Sequence, residues 1–403
     1  FGVSSVIGPL IGGLLSGTPE ILGITGWRWV FLINVPIGIV ALAIVLKALH
    51  LPKTHHRVRI DWWGAATVIT ATVPLLVVAE QGREWGWGSP ISIAMYVIGV
   101  AGIISFITIE KKMGESALIP LTLFKNQTFA RTQILGFIIG IGMFGGMIVL
   151  PLIIQIIYGV SPTMVGFMML PMVFGMMSAT ITAGRITSKT GKYRIFFNTG
   201  TATLTIGYLY MVLLMRADTP LWVLAIGMVL IGMGLGQLMQ TTMVASQNAV
   251  DAKNIGVATS SATFFRQMGG TFGVAIFMSI LFSQVVDKIQ AAFETSAVKA
   301  GFAEALQDPQ VVSNQANAGI LEILKAGPSG AEGITNDSSF LIDADERLTL
   351  PFRIGFVESS LTVFMLAAVI IAVAFVISWF IKEIPLREKS ASQEAAEAAA
   401  AAH

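Results

Sequence analysis

The residues of this chain able to carry chemistry are few, and most stand at the margins of long apolar runs. Proton transfer in a low-dielectric interior needs a carboxylate, because protonation removes the several-kcal/mol cost of burying its charge. Asp61, Glu80, Glu110 and Glu358 each fall at the end of an apolar run. No Asp or Glu occurs between Arg131 and Asp218, from 219 to 250, or from 252 to 286. The four carboxylates therefore read as interfacial residues first and proton carriers second. Gln133, Gln155, Gln237, Gln240 and Asn34 lie within apolar runs, where an amide either bonds between helices or lines a cavity. Arg266 sits two or three turns into such a run and needs a partner or a route to water. It reads equally as a structural tether or as part of a conformational switch.

Other chemistries lack their residues. There is no Cys, hence no disulfide framework and no thiolate metal site. His50, His55 and His56 share one basic loop and His403 ends the chain, so a membrane-embedded metal or acid–base enzyme has no cluster to work with. Met164, Met168, Met172 and Met176 recur every four residues, with Met143, Met147, Met228, Met233, Met239 and Met243 on other runs. Flexible thioethers suit a pocket that repacks around varied apolar ligands, although core or lipid-facing Met is the commoner use.

The elements that must position these residues are membrane helices. Hydrophobic residues make up 54% of the 403, charged residues only 12%, and mean hydropathy is +0.77, which defines a polytopic membrane protein. A net charge of +2 gives no reason to expect a nucleic-acid partner. About ten runs can span a bilayer of about 30 Å. They are the opening run, then 30–46, 62–79, 91–109, 134–157, 164–183, 195–215, 221–243, 257–281 and 361–380. Basic residues fall in alternate loops: Lys47, Lys53, Arg57 and Arg59; Lys111, Lys112, Lys125 and Arg131; Arg185, Lys189, Lys192 and Arg194; Lys253; and the tail with Lys382, Arg387 and Lys389. The positive-inside rule puts these loops and the C-terminus in the cytoplasm, with an acidic extracellular loop at 284–356. A multi-pass protein of the cell (cytoplasmic) membrane is expected, with the lipid bilayer as its surroundings.

The opening stretch carries Gly8, Pro9, Gly12 and Gly13 among Val, Ile and Leu. Glycines four apart allow close helix approach in lipid, and the Pro kinks the helix. This run resembles the antiporter motif G-x-x-x-G-P-x-x-G-G of major facilitator antiporters, with Ser4 in place of the first Gly. The runs 26–38, 61–64, 85–90 and 120–124, then Leu150-Pro151-Leu152, Gln155, Ser161-Pro162-Thr163, Leu170-Pro171 and 264–270, are similar to the fourteen-helix drug/proton antiporters of that superfamily. The likeness extends to Ser283 and the last helix. Gly184, Arg185, Gly191, Lys192 and Arg194 lie in a stretch similar to the cytoplasmic G-x-x-x-D-R-x-G-R gating loop, with Ser188 where the family has Asp.

The resemblance implies an all-α major facilitator fold working by alternating access. Residues 1–48 would be the last two helices of the N-terminal bundle, 49–130 an inserted helix pair with its loops, and 131–383 the C-terminal six-helix bundle, followed by a low-complexity cytoplasmic tail at 384–403. The first four helices, and with them the family's acidic coupling residue, would lie upstream, as the missing initiator Met also suggests. The implied activity is export of lipophilic, often cationic, small molecules in exchange for protons, powered by the proton gradient with no cofactor. Export of one lipid, metabolite or siderophore, and ligand sensing without transport, are the alternatives.

Overall fold

The chain is cut into membrane-length rods by prolines, glycines and short polar loops. The structure is a computed structural model that describes residues 8, 11–48, 60–326, 341 and 344–386. Residues 11–16 are helical and lead to a two-stranded antiparallel turn, β1 (Glu20–Ile21) with β2 (Ile24–Thr25). Two collinear segments follow, α1 (Gly26–Leu32) and α2 (Asn34–Ala48), broken at Ile33. Pro36 lacks an N–H, and its ring crowds the carbonyl four residues back at Leu32, so the break falls there. No residue of α2 is buried.

A helical hairpin comes next, α3 (Trp62–Trp85) and α4 (Pro90–Met113), packed along each other. Ser89 caps α4 by accepting from Ser92 N–H, and Pro90 takes the first turn, where a missing donor costs nothing.

Six rods form the C-terminal bundle. They are α5 (Gln127–Tyr158), the pair α6 (Pro162–Met168) and α7 (Leu170–Thr190), α8 (Arg194–Leu214), α9 (Leu221–Asn248), α10 (Ile255–Glu294) and, after a polar excursion, α14 (Glu346–Ser378). Pro171 breaks the second rod at Met169 for the reason that Pro36 breaks α1 from α2 at Ile33. The excursion holds α11 (Ser296–Gln307), α12 (Pro309–Ser313) and α13 (Ala318–Ala326).

Among the described residues, eight helical segments are long and apolar enough to cross a membrane. The rod α8 is not one of them, because Asn198, Thr199, Thr201 and Thr205 dilute its hydropathy. Its threonines bond carbonyls of their own helix, as Thr201 Oγ1 does to Phe197 O at 2.6 Å, so the rod still sits in the core with Phe197, Leu204 and Tyr208 buried.

Two crossings are built on backbone contact. A Cβ at Gly269 would lie 2.0 Å from Phe137 O and one at Gly140 2.2 Å from Arg266 O, so α5 and α10 touch without side chains between them. Likewise a Cβ at Gly232 would meet Met172 O at 2.0 Å and one at Gly236 would meet Met176 O at 2.2 Å, which seats α7 on α9. The rod α14 closes the bundle against α5, α8 and α10, with Phe364 stacked on Tyr208 at 6.0 Å between ring centroids.

The structure differs from the hydropathy reading in the reach of two helices. With 40 residues, α10 is about 60 Å long, twice the bilayer core, and α14 starts at Glu346 rather than near Leu361. Both ends of the polar 284–356 stretch are therefore extensions of membrane helices. Phe293 joins them by edge contacts to Phe302 and Phe352, and Asn317 ties the excursion together by donating to Val311 O and accepting from Asp345 N–H.

Candidate functional site

The opening helix meets the C-terminal bundle through glycine. Thr163 Oγ1 donates to Gly13 O at 2.8 Å, a Cβ on Gly13 would lie 3.0 Å from Pro162 O, and one on Gly17 would lie 2.1 Å from Thr163 Oγ1. The seam therefore runs through Gly13 and Gly17. Gly8 and Gly12 have no described atom within 4 Å of a Cβ position, and Pro9 lies outside the described residues.

At the opposite end of the bundle, the loop between α7 and α8 turns on Gly191, whose φ of +71° suits a residue without a side chain. Its N–H closes α7 on Thr187 O at 2.8 Å. Gly184 lies in open space with its carbonyl accepting from Ser188 Oγ, and Arg185 and Lys192 are exposed. Arg194 reaches across to α14: its Nη2 donates to Trp379 O at 2.7 Å, one of the carbonyls left free where the helix ends and its dipole is negative. Arg131 binds the neighbouring Phe380 O, and Asn248 Nδ2 donates to Ile384 O at 2.9 Å. The ends of α5, α8 and α9 thus hold one strand of chain, 379–385, against the loop.

The amides divide into two groups. Gln237 is buried and accepts from Thr199 Oγ1 at 2.6 Å, joining α8 to α9. Gln133 is buried and donates to Ser246 Oγ at 2.8 Å, and Ser246 donates onward to Ala258 O, which joins α5, α9 and α10. These two are interhelical ties. Asn34 is spent on its own helix, donating to Val30 O, and Gln155 is half-buried near the end of α5.

Gln240 is exposed, and so are Ser260, Gln267 and Thr271 of α10. Their spacing of seven and four places the last three on one face of a helix. The bond from Gln247 Nε2 to Thr259 Oγ1 at 2.8 Å sets the antiparallel register of α9 and α10. Seven residues on from that bond, about 10 Å along each helix, Gln240 and Arg266 stand at the same height. Arg266 is partly buried, and its side chain makes no hydrogen bond or ion pair among the described residues. A polar face of this kind is costly against lipid. The sequence reading missed Ser260, Gln267 and Thr271 as a set, although their helical spacing was its signal.

The methionine stripe winds from surface to core. Met164 is 48% exposed, while Met172 and Met176 are buried at the α7–α9 crossing and Met143 and Met228 are buried elsewhere in the core. Most of the stripe is packing.

Asp61, Glu80 and Glu110 stand at or near helix ends, and two of the four carboxylates are buried. Glu80 is exposed and Glu358 pairs with Lys288 at 3.3 Å near the surface, but Asp61 and Glu110 are 6% and 1% exposed. Helix ends in the sequence suggested surface; the hairpin folds these two ends onto each other. Beside them an apolar chamber of about 600 Å³ opens between the hairpin and the bundle, lined by Phe106, Ile119, Phe124, Phe137, Phe265 and Phe272 among others.

Comparison with known proteins agrees with this architecture. Residues 1–274 match the family described as Major Facilitator Superfamily. The chain is 32% identical over 335 residues to a "Tetracycline resistance determinant" of Streptomyces rimosus, covering 83% of this chain and 94% of that protein. It is 31% identical over 400 residues to the "Multidrug transporter protein MdtP" of Bacillus subtilis, covering 98% and 70% of the two chains. "Multidrug resistance protein 3" of the same organism is 31% identical over 77% of this chain and 60% of its own length. With its bundle of glycine-seated helices and a family match across its first 274 residues, the chain belongs to the Major Facilitator Superfamily.

Proposed function

We propose that this protein is a secondary active transporter that exports lipophilic, often cationic, compounds in exchange for protons by alternating access. The observation that carries the reading is the exposed polar set of Gln240 on α9 and Ser260, Gln267 and Thr271 on α10, with Arg266 at the height of Gln240. Such a face needs water or substrate opposite it, and amides and hydroxyls can accommodate varied ligands without demanding one charge. Relatives named for tetracycline resistance and multidrug transport support the substrate class. The seam at Gly13 and Gly17 supports a rocking contact between bundles, since glycine surfaces slide and separate without side chains to disengage.

In this reading the protein sits in the cell membrane, and the basic loops and the clasp around residues 379–385 face the cytoplasm, as the distribution of Lys and Arg favours. The proton gradient is the energy source. Efflux of a fluorescent lipophilic cation from cells lacking their own exporters tests the proposal. Expression of the complete reading frame should speed efflux, and an uncoupler should abolish the gain; efflux equal to that of empty cells refutes it.

A further inference from the structure

Asp61 and Glu110 lie at the two chain ends of the α3–α4 hairpin and meet at its base. Asp61 caps α3, its Oδ1 accepting from Gly64 N–H at 2.7 Å. Glu110 stands in the last turn of α4, its Oε2 accepting from Ile119 N–H at 2.8 Å. Each carboxyl thus has one satisfied oxygen. The other two, Asp61 Oδ2 and Glu110 Oε1, are buried and have no hydrogen-bond partner among the described residues. Both converge on one point, since a Cβ on Gly64 would lie 2.5 Å from Asp61 Oδ2 and 2.6 Å from Glu110 Oε1. Glycine at 64 makes the room in which they face each other.

Two ionised carboxylates cannot share such a pocket, because both facing oxygens are buried from bulk solvent and each charge repels the other. No described cation relieves them. Lys111 and Lys112 on α4 and Lys125 in the following loop are exposed, and Arg266 of α10, the helix packed against α3, pairs with neither acid. One proton removes the conflict: it neutralises one carboxyl, makes it a donor to the other, and satisfies both orphan oxygens at once.

We propose that Asp61 and Glu110 form a proton-binding site, one proton held between Asp61 Oδ2 and Glu110 Oε1, that clasps the ends of the inserted hairpin to the segment at Leu118 and Ile119. The site is separate from the polar face of α9 and α10 and stands whether or not the transport reading holds.

The test uses the purified protein of the complete reading frame, in four forms: unaltered, Asp61→Asn, Asp61→Ala and Glu110→Gln. An amide at 61 supplies the donor that the proton supplies, so it reproduces the protonated pair at every pH. At pH 8 the unfolded chain has its carboxyls apart in water and holds no proton, so unfolding releases one and stability falls as pH rises. The melting temperature of the unaltered protein relative to Asp61→Asn should therefore drop by several degrees from pH 5 to pH 8, with Asp61→Ala below both throughout. Infrared spectra at pH 7 should show a protonated carboxyl stretch that Asp61→Asn and Glu110→Gln each abolish. If Asp61→Asn melts as low as Asp61→Ala at pH 8, the carboxylates are ionised and held by a cation, and the proposal fails. It fails equally if the carboxyl stretch is the same in the unaltered protein and in Glu110→Gln.

Discussion

Thr163 donates its hydroxyl to the backbone carbonyl of Gly13 at 2.8 Å, tying the opening helix to the first turn of α6 across 150 residues of chain. The bond is available only because Gly13 and Gly17 leave that carbonyl bare. Gly17→Val should stop export while the protein still inserts at normal levels, because a side chain there meets Thr163 Oγ1. Thr163→Val, which keeps the shape and loses a bond of about 0.6 kcal/mol, should slow export only slightly. Gly12→Ala, with open space around it, should leave export unchanged. Efflux rates normalised to membrane expression check all three.

The crossings of the bundle make a stability prediction. Gly269→Leu forces side-chain atoms onto the backbone of Phe137 and should cost about 3 kcal/mol, seen as loss of the folded fraction in a detergent melt. Gly184→Ala is the control, since no described atom lies within 4 Å, and should melt like the parent protein.

The clasp at the end of α14 depends on Arg194. Arg194→Ala removes the donor to Trp379 O and should free residues 381–386 to exchange their amide hydrogens faster, with a loss of about 1 kcal/mol for a charged bond at a partly exposed site. Arg194→Lys should recover little, because a compact ammonium on a flexible stem lacks the planar guanidinium fork that reaches the Trp379 carbonyl.

Acid should loosen the excursion between α10 and α14 at a definite point. The guanidinium of Arg347, bonded to Asp345 at 3.1 Å, holds the Asp345 carboxyl below the usual carboxylate range. A depressed carboxyl contributes stability above its unfolded value of about 4 and loses that contribution as pH falls through the lower folded value. Amide exchange across residues 308–317 should be flat from pH 8 to about 4, after correction for intrinsic rates, and rise below it. Asp345→Asn should show the raised exchange at every pH.

How much of this was legible in the sequence depends on what each residue's role required. The breaks near Pro36 and Pro171 follow from proline chemistry, which is local, whereas hydropathy suggests about ten spans and eight described segments are long and apolar enough to cross. The true length of α10 does not, because its outer turns, with Asp287, Lys288 and Glu294, are too polar to register as membrane helix although they remain helical. Gln237 and Gln133 could be read singly as ties or as cavity residues, and only partners 38 and 113 residues away decide for ties. The burial of Asp61 and Glu110 is hidden for the same reason: their helix-end positions are local, but the end that covers each is about 50 residues away. The polar face of α10 was present in the spacing of Ser260, Gln267 and Thr271, but a count of carboxylates does not detect it.

That face makes the substrate prediction. Gln240→Leu and Gln267→Leu should shift KM for lipophilic cations several-fold, in either direction according to the compound, with melting temperature unchanged because both side chains are exposed. A uniform loss of maximal rate with KM constant would place these residues outside the substrate path.

The central claim is exchange of substrate for protons, and simultaneous measurement of both fluxes tests it most directly. The protein of the complete reading frame, reconstituted into sealed vesicles with an internal pH dye and a fluorescent lipophilic cation, is given an outward proton gradient. The account predicts that cation enters as protons leave, that each flux stops when the other species is withheld, and that Gly17→Val stops both. Cation movement at the same rate with and without a pH gradient, or proton movement indifferent to the cation, would contradict it.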